Sequence, residues 1–254
     1  MVYLAFTVSL GLAYLIAGMD LYDAGAHSLT TVSTGGFSPY NSSLGHFQSG
    51  AIEWICIVAM FIAGSSFTLL YRLLRGSVGP LIKSKEFQVY TAVVLLVSTV
   101  VFLVNVAAGP VADRIRGSVF TTLTVVSTTG YATDDFGSWS DASQAVIMIL
   151  LPIGAMAGST AGGVKLIRVL SVASYAHREA LRHLHPRLVR PVRVGGGVVP
   201  DGTANKIVAF MVLALAIFGS GALAIAMTGT DLITSFSAAA TALGNVGPGL
   251  GEVG

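Results

Sequence analysis

The stretch Ser33-Thr34-Gly35-Gly36-Phe37 has two counterparts further along the chain, Ser127-Thr128-Thr129-Gly130-Tyr131 and Gly244-Asn245-Val246-Gly247-Pro248. Each ends a Thr/Ser-rich, helix-compatible run on glycine, and each follows a long apolar segment. Aligned on Gly36, Gly130 and Gly247, each has an aspartate 16 or 17 residues upstream: Asp20, Asp113 and Asp231. Internal repetition fixes architecture before any other feature is considered. Here it points to repeated pore loops and an ion pathway lined by backbone.

Working outward, the composition suits no soluble domain of 254 residues. Hydrophobic residues make up 54% of the chain, charged residues 10%, and the mean hydropathy is +0.78. About 20 helical residues cross roughly 30 Å of hydrocarbon. The apolar runs that reach or approach this length are Val2 to Ala17, Ile52 to Leu74, Val89 to Ala108, a broken one from Ala145 to about Leu170, and Ile207 to Met227. All are read as helices, because a lone strand in lipid leaves its backbone unpaired. The first has no preceding Lys or Arg and too long an apolar part for a secretory leader, so it reads as a span. Cys56 is the one cysteine and sits in an apolar run, which excludes a disulfide within the chain and argues against a metal cluster. A net charge of +2 gives no reason to expect nucleic acid.

The distribution of charge sets an orientation. Twelve of the fourteen basic residues fall in two connections: Arg72, Arg75, Lys83 and Lys85 in one, and Lys165 through Lys206 in the other. The opposite side holds Arg114 and Arg116 with Asp20, Asp23, Asp113, Asp134, Asp135, Asp141, Asp231, Glu252 and Glu53. By the positive-inside rule the glycine motifs then face outward. An acidic rim there would concentrate cations, although ordinary solvated carboxylates give the same pattern.

Asp20 to Thr31, Asp113 to Val126 and Asp231 to Leu243 are too short and polar to span, which suits half-helices re-entering from outside with Asp as the N-cap. Such a helix turns its partly negative carbonyl end toward the membrane centre, where a dehydrated cation is favoured. The extended residues that follow would present carbonyl oxygens in place of the ion's water, as potassium-channel filters do. Glycine at the turn permits backbone angles closed to other residues.

The fourth apolar run is interrupted by Gly154-Ala155-Met156-Ala157-Gly158-Ser159-Thr160-Ala161-Gly162-Gly163 before Val164-Lys165. Glycine at this density breaks a helix, and a flexible segment inside a filter could open or block the path. Close helix packing through small residues is the competing account. The spacing of Gly158 and Gly163 imitates a phosphate loop, but Val164 stands where lysine is required and Leu166 where Ser or Thr is required. His177, His183 and His185 lie among arginines, and His183 and His185 do not share a helical face. His27 reads as a packed or hydrogen-bonded side chain. Arg190 to Val194, three glycines, and Val198 to Pro200 suggest a small hairpin, whose basic character could dock a cytosolic partner or anionic lipid.

The runs Thr30 to Ser38, Val126 to Tyr131, Ala157 to Lys165 and Gly244 to Gly249 resemble the TrkH/KtrB potassium uptake proteins, and the resemblance covers nearly the whole chain. It implies an all-α membrane protein of helix, pore-loop, helix units around a pseudo-fourfold pore. The second unit would occupy 1–75, the third 87–185 with its inner helix broken, a cytoplasmic connection 186–206, and an incomplete fourth unit 207–254. The implied selectivity filter, where potassium binds as substrate, comprises Ser33, Thr34, Gly35, Gly36 and Phe37, then Ser127, Thr128, Thr129, Gly130 and Tyr131, then Gly244, Asn245, Val246 and Gly247. The implied gating loop comprises Gly154, Gly158, Ser159, Thr160, Gly162 and Gly163, with Lys165 beside it.

The resemblance further implies membrane-potential-driven potassium uptake across the cytoplasmic membrane, no bound cofactor and no enzymatic step. Its partners would be membrane lipid, a second copy in a homodimer, and a cytosolic ring of nucleotide-binding TrkA/KtrA-like subunits. On this reading the first unit and the last helix lie beyond the chain, which would be a fragment that does not conduct alone. Sodium or mixed-cation transport stays open, because the filter position associated with that preference belongs to the first unit. Two other classes fit less well. A membrane enzyme needs a nucleophile, metal ligands or a carboxylate pair at one depth, and a sodium-coupled carrier uses broken helices around an anionic substrate.

Overall fold

The computed structural model describes residues 1–105, 110–185, 187, 191–194 and 197–253. Its first unit runs from α1 (Val2–Ile16) into the short α2 (Leu21–Val32) and back through α3 (Gly50–Ala63). Asp20 starts α2 as expected, its carboxylate accepting the Asp23 N–H at 2.7 Å. At 12 residues, α2 rises only about 18 Å, too little to cross roughly 30 Å of hydrocarbon. It packs along α1, where Gly11 lets the Ser28 side chain approach closely.

The apolar run from Ile52 to Leu74 is not one span. It bends by 103° between α3 and α4 (Phe67–Leu74). The cause lies at Gly64-Ser65-Ser66: the Tyr90 hydroxyl donates to the Phe61 carbonyl at 3.3 Å, and a Cβ on Gly64 would stand 2.4 Å from that same hydroxyl. Tyr90 is fully buried and stacks on Phe61 at 5.0 Å. A tertiary contact thus turns a sequence whose hydropathy reads straight through.

After the short α5 (Gly79–Lys83), α6 (Lys85–Val104) supplies 20 residues, about 30 Å of helix. The second unit continues with α7 (Val111–Val126) and α8 (Asp141–Leu150), and the third pairs α10 (Asp201–Ala226) with α11 (Leu232–Gly244). In all three units the short helix packs on the long one before it, and α3 also packs on α7, joining the first unit to the second. Lengths and apolarity qualify α6 and α10 as membrane spans, and α3 with α4 if the bent pair counts as one. Exposed Leu4, Val8, Leu12 and Ile16 on α1, with Val212, Leu213, Leu215 and Leu223 on α10, form faces suited to hydrocarbon. The buried core lies between units, around Tyr14, Met60, Tyr90, Phe120, Tyr131, Leu151 and Met156.

The fourth apolar run stops at Leu150 and resumes as α9 (Leu166–Leu184). Between them β1 (Ile153–Gly154) and β2 (Val164–Lys165) pair in parallel, so the intervening segment is a closed loop. On the basic side β3 (Val192–Val194) and β4 (Gly197–Val199) form an antiparallel hairpin that packs on α9. Arg190 and the turn glycines Gly195 and Gly196 lie outside the described residues, as does Ala108 at the end of the third apolar run.

Candidate functional site

The three glycine motifs meet. A Cβ on Gly36 would lie 1.8 Å from the Thr129 carbonyl oxygen, and one on Gly130 would lie 1.8 Å from that of Val246. The backbones of neighbouring units therefore touch at these glycines, which leaves no room for any side chain. Each motif also adopts the left-handed conformation twice, two residues apart: at Thr34 and Gly36 (φ 52° and 64°), Thr128 and Gly130 (56° and 82°), and Asn245 and Gly247 (56° and 116°). Threonine enters this region rarely, so its use at both Thr34 and Thr128 is backbone strain held by the surroundings. The segments are kinked, in contrast to the simple extended run anticipated from sequence.

What holds them is a residue the glycine motifs do not contain. Thr30, Thr124 and Thr241 each lie six positions before the aligned glycine. Their hydroxyls donate to the carbonyls of Phe37 (3.0 Å), Tyr131 (3.0 Å) and Pro248 (3.1 Å), seven residues on. The backbone carbonyl of the same threonine accepts the N–H of Gly35 (2.7 Å), Thr129 (2.9 Å) or Val246 (3.0 Å). One threonine at the end of each short helix thus clamps both ends of the loop. Sequence reading passed over it, although alignment of the repeats at the sixth position before glycine gives threonine three times.

Side chains within the motifs divide. Phe37 is 77% exposed, whereas the equivalent Tyr131 is fully buried. The Tyr131 hydroxyl lies 2.6 Å from the Thr30 hydroxyl and 3.0 Å from that of Thr31, and donates to the His27 carbonyl at 3.1 Å. Tyr131 therefore ties the second motif to the short helix of the first unit. Ser127 and Thr129 hydrogen-bond each other at 2.7 Å, and both are buried. His27 is packed as expected: Nδ1 lies 2.8 Å from the Asp23 carbonyl and Nε2 3.1 Å from the Ser38 hydroxyl.

The loop between β1 and β2 lies directly against these motifs. Gly162 N–H donates to Thr128 Oγ1 at 2.6 Å, and a Cβ on Gly162 would stand 2.6 Å from the Gly244 carbonyl oxygen. The Thr160 hydroxyl reaches Val32 O at 2.9 Å and Ala63 O at 3.3 Å, the carbonyl ends of α2 and α3. Lys165 Nζ donates to the Ala161 carbonyl and lies 3.4 Å from Ser159 Oγ. Gly158 and Gly163 take left-handed angles (77° and 62°), while Gly154 abuts the Gly162 carbonyl. A segment so placed bridges all three units and sits where it can obstruct whatever passes between them.

The acidic rim is less free than the sequence suggests. Glu53 Oε2 pairs with Arg116 Nε at 2.7 Å, and Arg116 Nη1 pairs with Asp113 at 2.8 Å. Asp113 is not an N-cap: α7 begins after Pro110, and Asp113 lies in its first turn. Asp231 does cap α11, accepting the Thr234 N–H at 3.3 Å. Asp23 is buried and accepts the Tyr40 hydroxyl at 2.9 Å, a bond that raises the Tyr40 pKa. Asp134 and Asp135 border a cavity of about 820 Å³ with Glu53, Asp113 and Arg116.

Comparison with known proteins matches residues 2–253 to the TrkH family, described as "Cation transport protein". The chain is 34% identical to the Trk system potassium uptake protein TrkH of Vibrio parahaemolyticus, over 99% of this chain and 53% of that protein. It is 32% identical to TrkH of Escherichia coli K12, over 100% of this chain and 53% of that one. It also resembles TrkI of Halomonas elongata, at 34% identity over 99% of this chain and 51% of the relative. The crystal structure of the potassium transporter TrkH from Vibrio parahaemolyticus superposes with a TM-score of 0.92 at 33% identity, covering 99% of this chain and 55% of that chain. The chain spans about half the length of the curated relatives it matches.

Proposed function

The chain belongs to the TrkH family of cation transport proteins, and from that premise we propose that it contributes three filter segments and the gate of a potassium uptake pathway. The observation that carries this is the close approach of Gly36 to Thr129 O and of Gly130 to Val246 O, which brings the backbones of three repeats together. The relatives named above are potassium uptake proteins, and the structural neighbour is a potassium transporter. Filter carbonyls replace a cation's hydration shell, and the three threonine clamps hold the segments that carry these carbonyls.

Transport here involves no covalent step. Each cation moving inward gains about 2.3 kcal/mol per 100 mV of membrane potential. The motifs face the outside of the cytoplasmic membrane and the basic connections face the cytosol, following the positive-inside bias. Those connections, around Arg72 to Lys85 and Arg178 to Arg193, are the surface for a cytosolic nucleotide-binding ring, and the intact transporter pairs as a homodimer. Units follow the helix, short helix, helix repeat: the first over 1–75, the next over 87–185, a connection over 186–206, and a further unit from 207.

Replacing Gly130 with Asp in the intact protein tests the filter assignment. The substituent would collide with Val246 O at a left-handed position, so rubidium uptake by cells lacking other potassium uptake should vanish. Normal uptake by a variant present in the membrane rejects the assignment.

A further inference from the structure

We infer that Glu86 is a positioning residue that latches the intramembrane loop and makes it follow movements of the α4–α5 connection. The inference rests on the proposal that this loop is a gate. Several backbone donors of the loop and of the residues that follow it are answered by neutral groups: Met156 N–H by Gly64 O at 3.1 Å, Gly162 N–H by Thr128 Oγ1, Val164 N–H by Pro152 O at 3.0 Å, and Leu166 N–H by Ala155 O at 3.1 Å. Ala157 differs. Its N–H donates to the Glu86 carboxylate at 2.7 Å, from the first turn of α6. This bond ties the loop to the start of α6, outside the three glycine motifs.

The next loop residue is held by the other end of the same connection, because the Gly158 carbonyl accepts the N–H of Phe67, the first residue of α4, at 3.0 Å. Residues 67 to 86 therefore grip two consecutive loop residues, one through α4 and one through α6. Between these grips lies α5, which has no buried residue and exposes Val78 and Ile82 beside it and within it. The α5 segment is joined to α6 by Gln88 Nε2 donating to Ile82 O at 2.8 Å and by Ser84 capping Phe87. A partner that displaces α5 draws Glu86 with it and removes the acceptor from Ala157.

The test uses the intact transporter in liposomes without any cytosolic partner, reading rubidium leak and maleimide labelling of a Ser159→Cys reporter. Cys56 is fully buried and stays silent. E86A should raise leak on the order of tenfold, equivalent to about 1.4 kcal/mol, and should speed labelling. E86Q keeps an acceptor oxygen in place and should stay within about twofold of the parent in both. Where E86A does not reach the membrane, E86D retains the charge, withdraws the oxygen and should also speed labelling. Deleting Gly158 to Gly162 is the control on the gate itself. Leak from the deletion with E86A and E86D unchanged in both readouts overturns the latch while leaving the gate. Faster labelling in E86A with no leak from the deletion upholds the positioning role and rejects the gate. E86Q behaving like E86A overturns the inference, since the acceptor would then not be what matters.

Discussion

At the scale of single residues, the repeated threonine decides more than the glycine it precedes. A hydroxyl bond to a carbonyl contributes about 1 kcal/mol net, and stranding the buried partner costs about 1–3 kcal/mol. T124V should therefore loosen the segment ending at Tyr131, lowering rubidium-over-sodium selectivity on the order of tenfold, whereas T124S keeps the donor and should retain it. Paired uptake ratios check this, and equal behaviour of the two variants would leave the clamp without a role. Gly36 offers a second contrast within one short helix and its loop. G36A places a methyl on the Thr129 carbonyl at a left-handed φ and should abolish uptake. G25A, in α2 with nothing within 4 Å of its new methyl, should keep uptake and gain up to about 1 kcal/mol of helix stability, seen as a higher melting temperature in detergent. The glycines were legible from sequence because no other residue substitutes for them. The threonines were not, since a Thr-rich helix reads as generic polarity until the repeats are superposed.

At the scale of elements, hydropathy located apolar helices, of which α6, α10 and the bent α3–α4 pair are long enough to span, and it missed the bend in that pair. The run through Gly64 contains no proline and few polar residues, yet α3 and α4 diverge where Tyr90, from another helix, packs against Gly64. G64A should lower the melting temperature by overpacking, a cost of about 1–3 kcal/mol, and Y90F should recover part of it by removing the colliding hydroxyl. Equal losses in G64A and G64A/Y90F would place the clash on Ala155 instead, whose Cβ lies 3.2 Å away. The break between α8 and α9 was visible in its glycines, but its parallel β1–β2 closure was not, because pairing two residues across a nine-residue loop leaves no periodicity to read. Deleting Gly158 to Gly162 also removes Thr160, which caps α2 and α3 together. It should raise leak current in the reconstituted transporter, and an unchanged current would reduce the loop to packing.

At the scale of the whole molecule, charge is sorted by side, but its contribution depends on what is already paired. Glu53 and Asp113 share Arg116, and Asp23 is buried beneath Tyr40, so Asp134 and Asp135 are the acids lining the cavity that no basic side chain pairs among the described residues. D134N/D135N should slow uptake at low external potassium by a few-fold, with the deficit shrinking as ionic strength rises and the Debye length falls below about 10 Å. A deficit independent of salt would assign these residues a structural role. By itself the sequence determined the membrane class, the three repeats, the capping of α2 and α11 by aspartate, and the glycines on which the units meet, because composition, spacing and steric uniqueness are local properties of the chain. Tertiary structure alone decided the bend at Gly64, the pairing of Glu53 with Arg116, the reach of Tyr131 into the neighbouring unit and the grip of Glu86 on Ala157. Each of these joins residues tens of positions apart, and packing, which no local pattern records, brings them into contact.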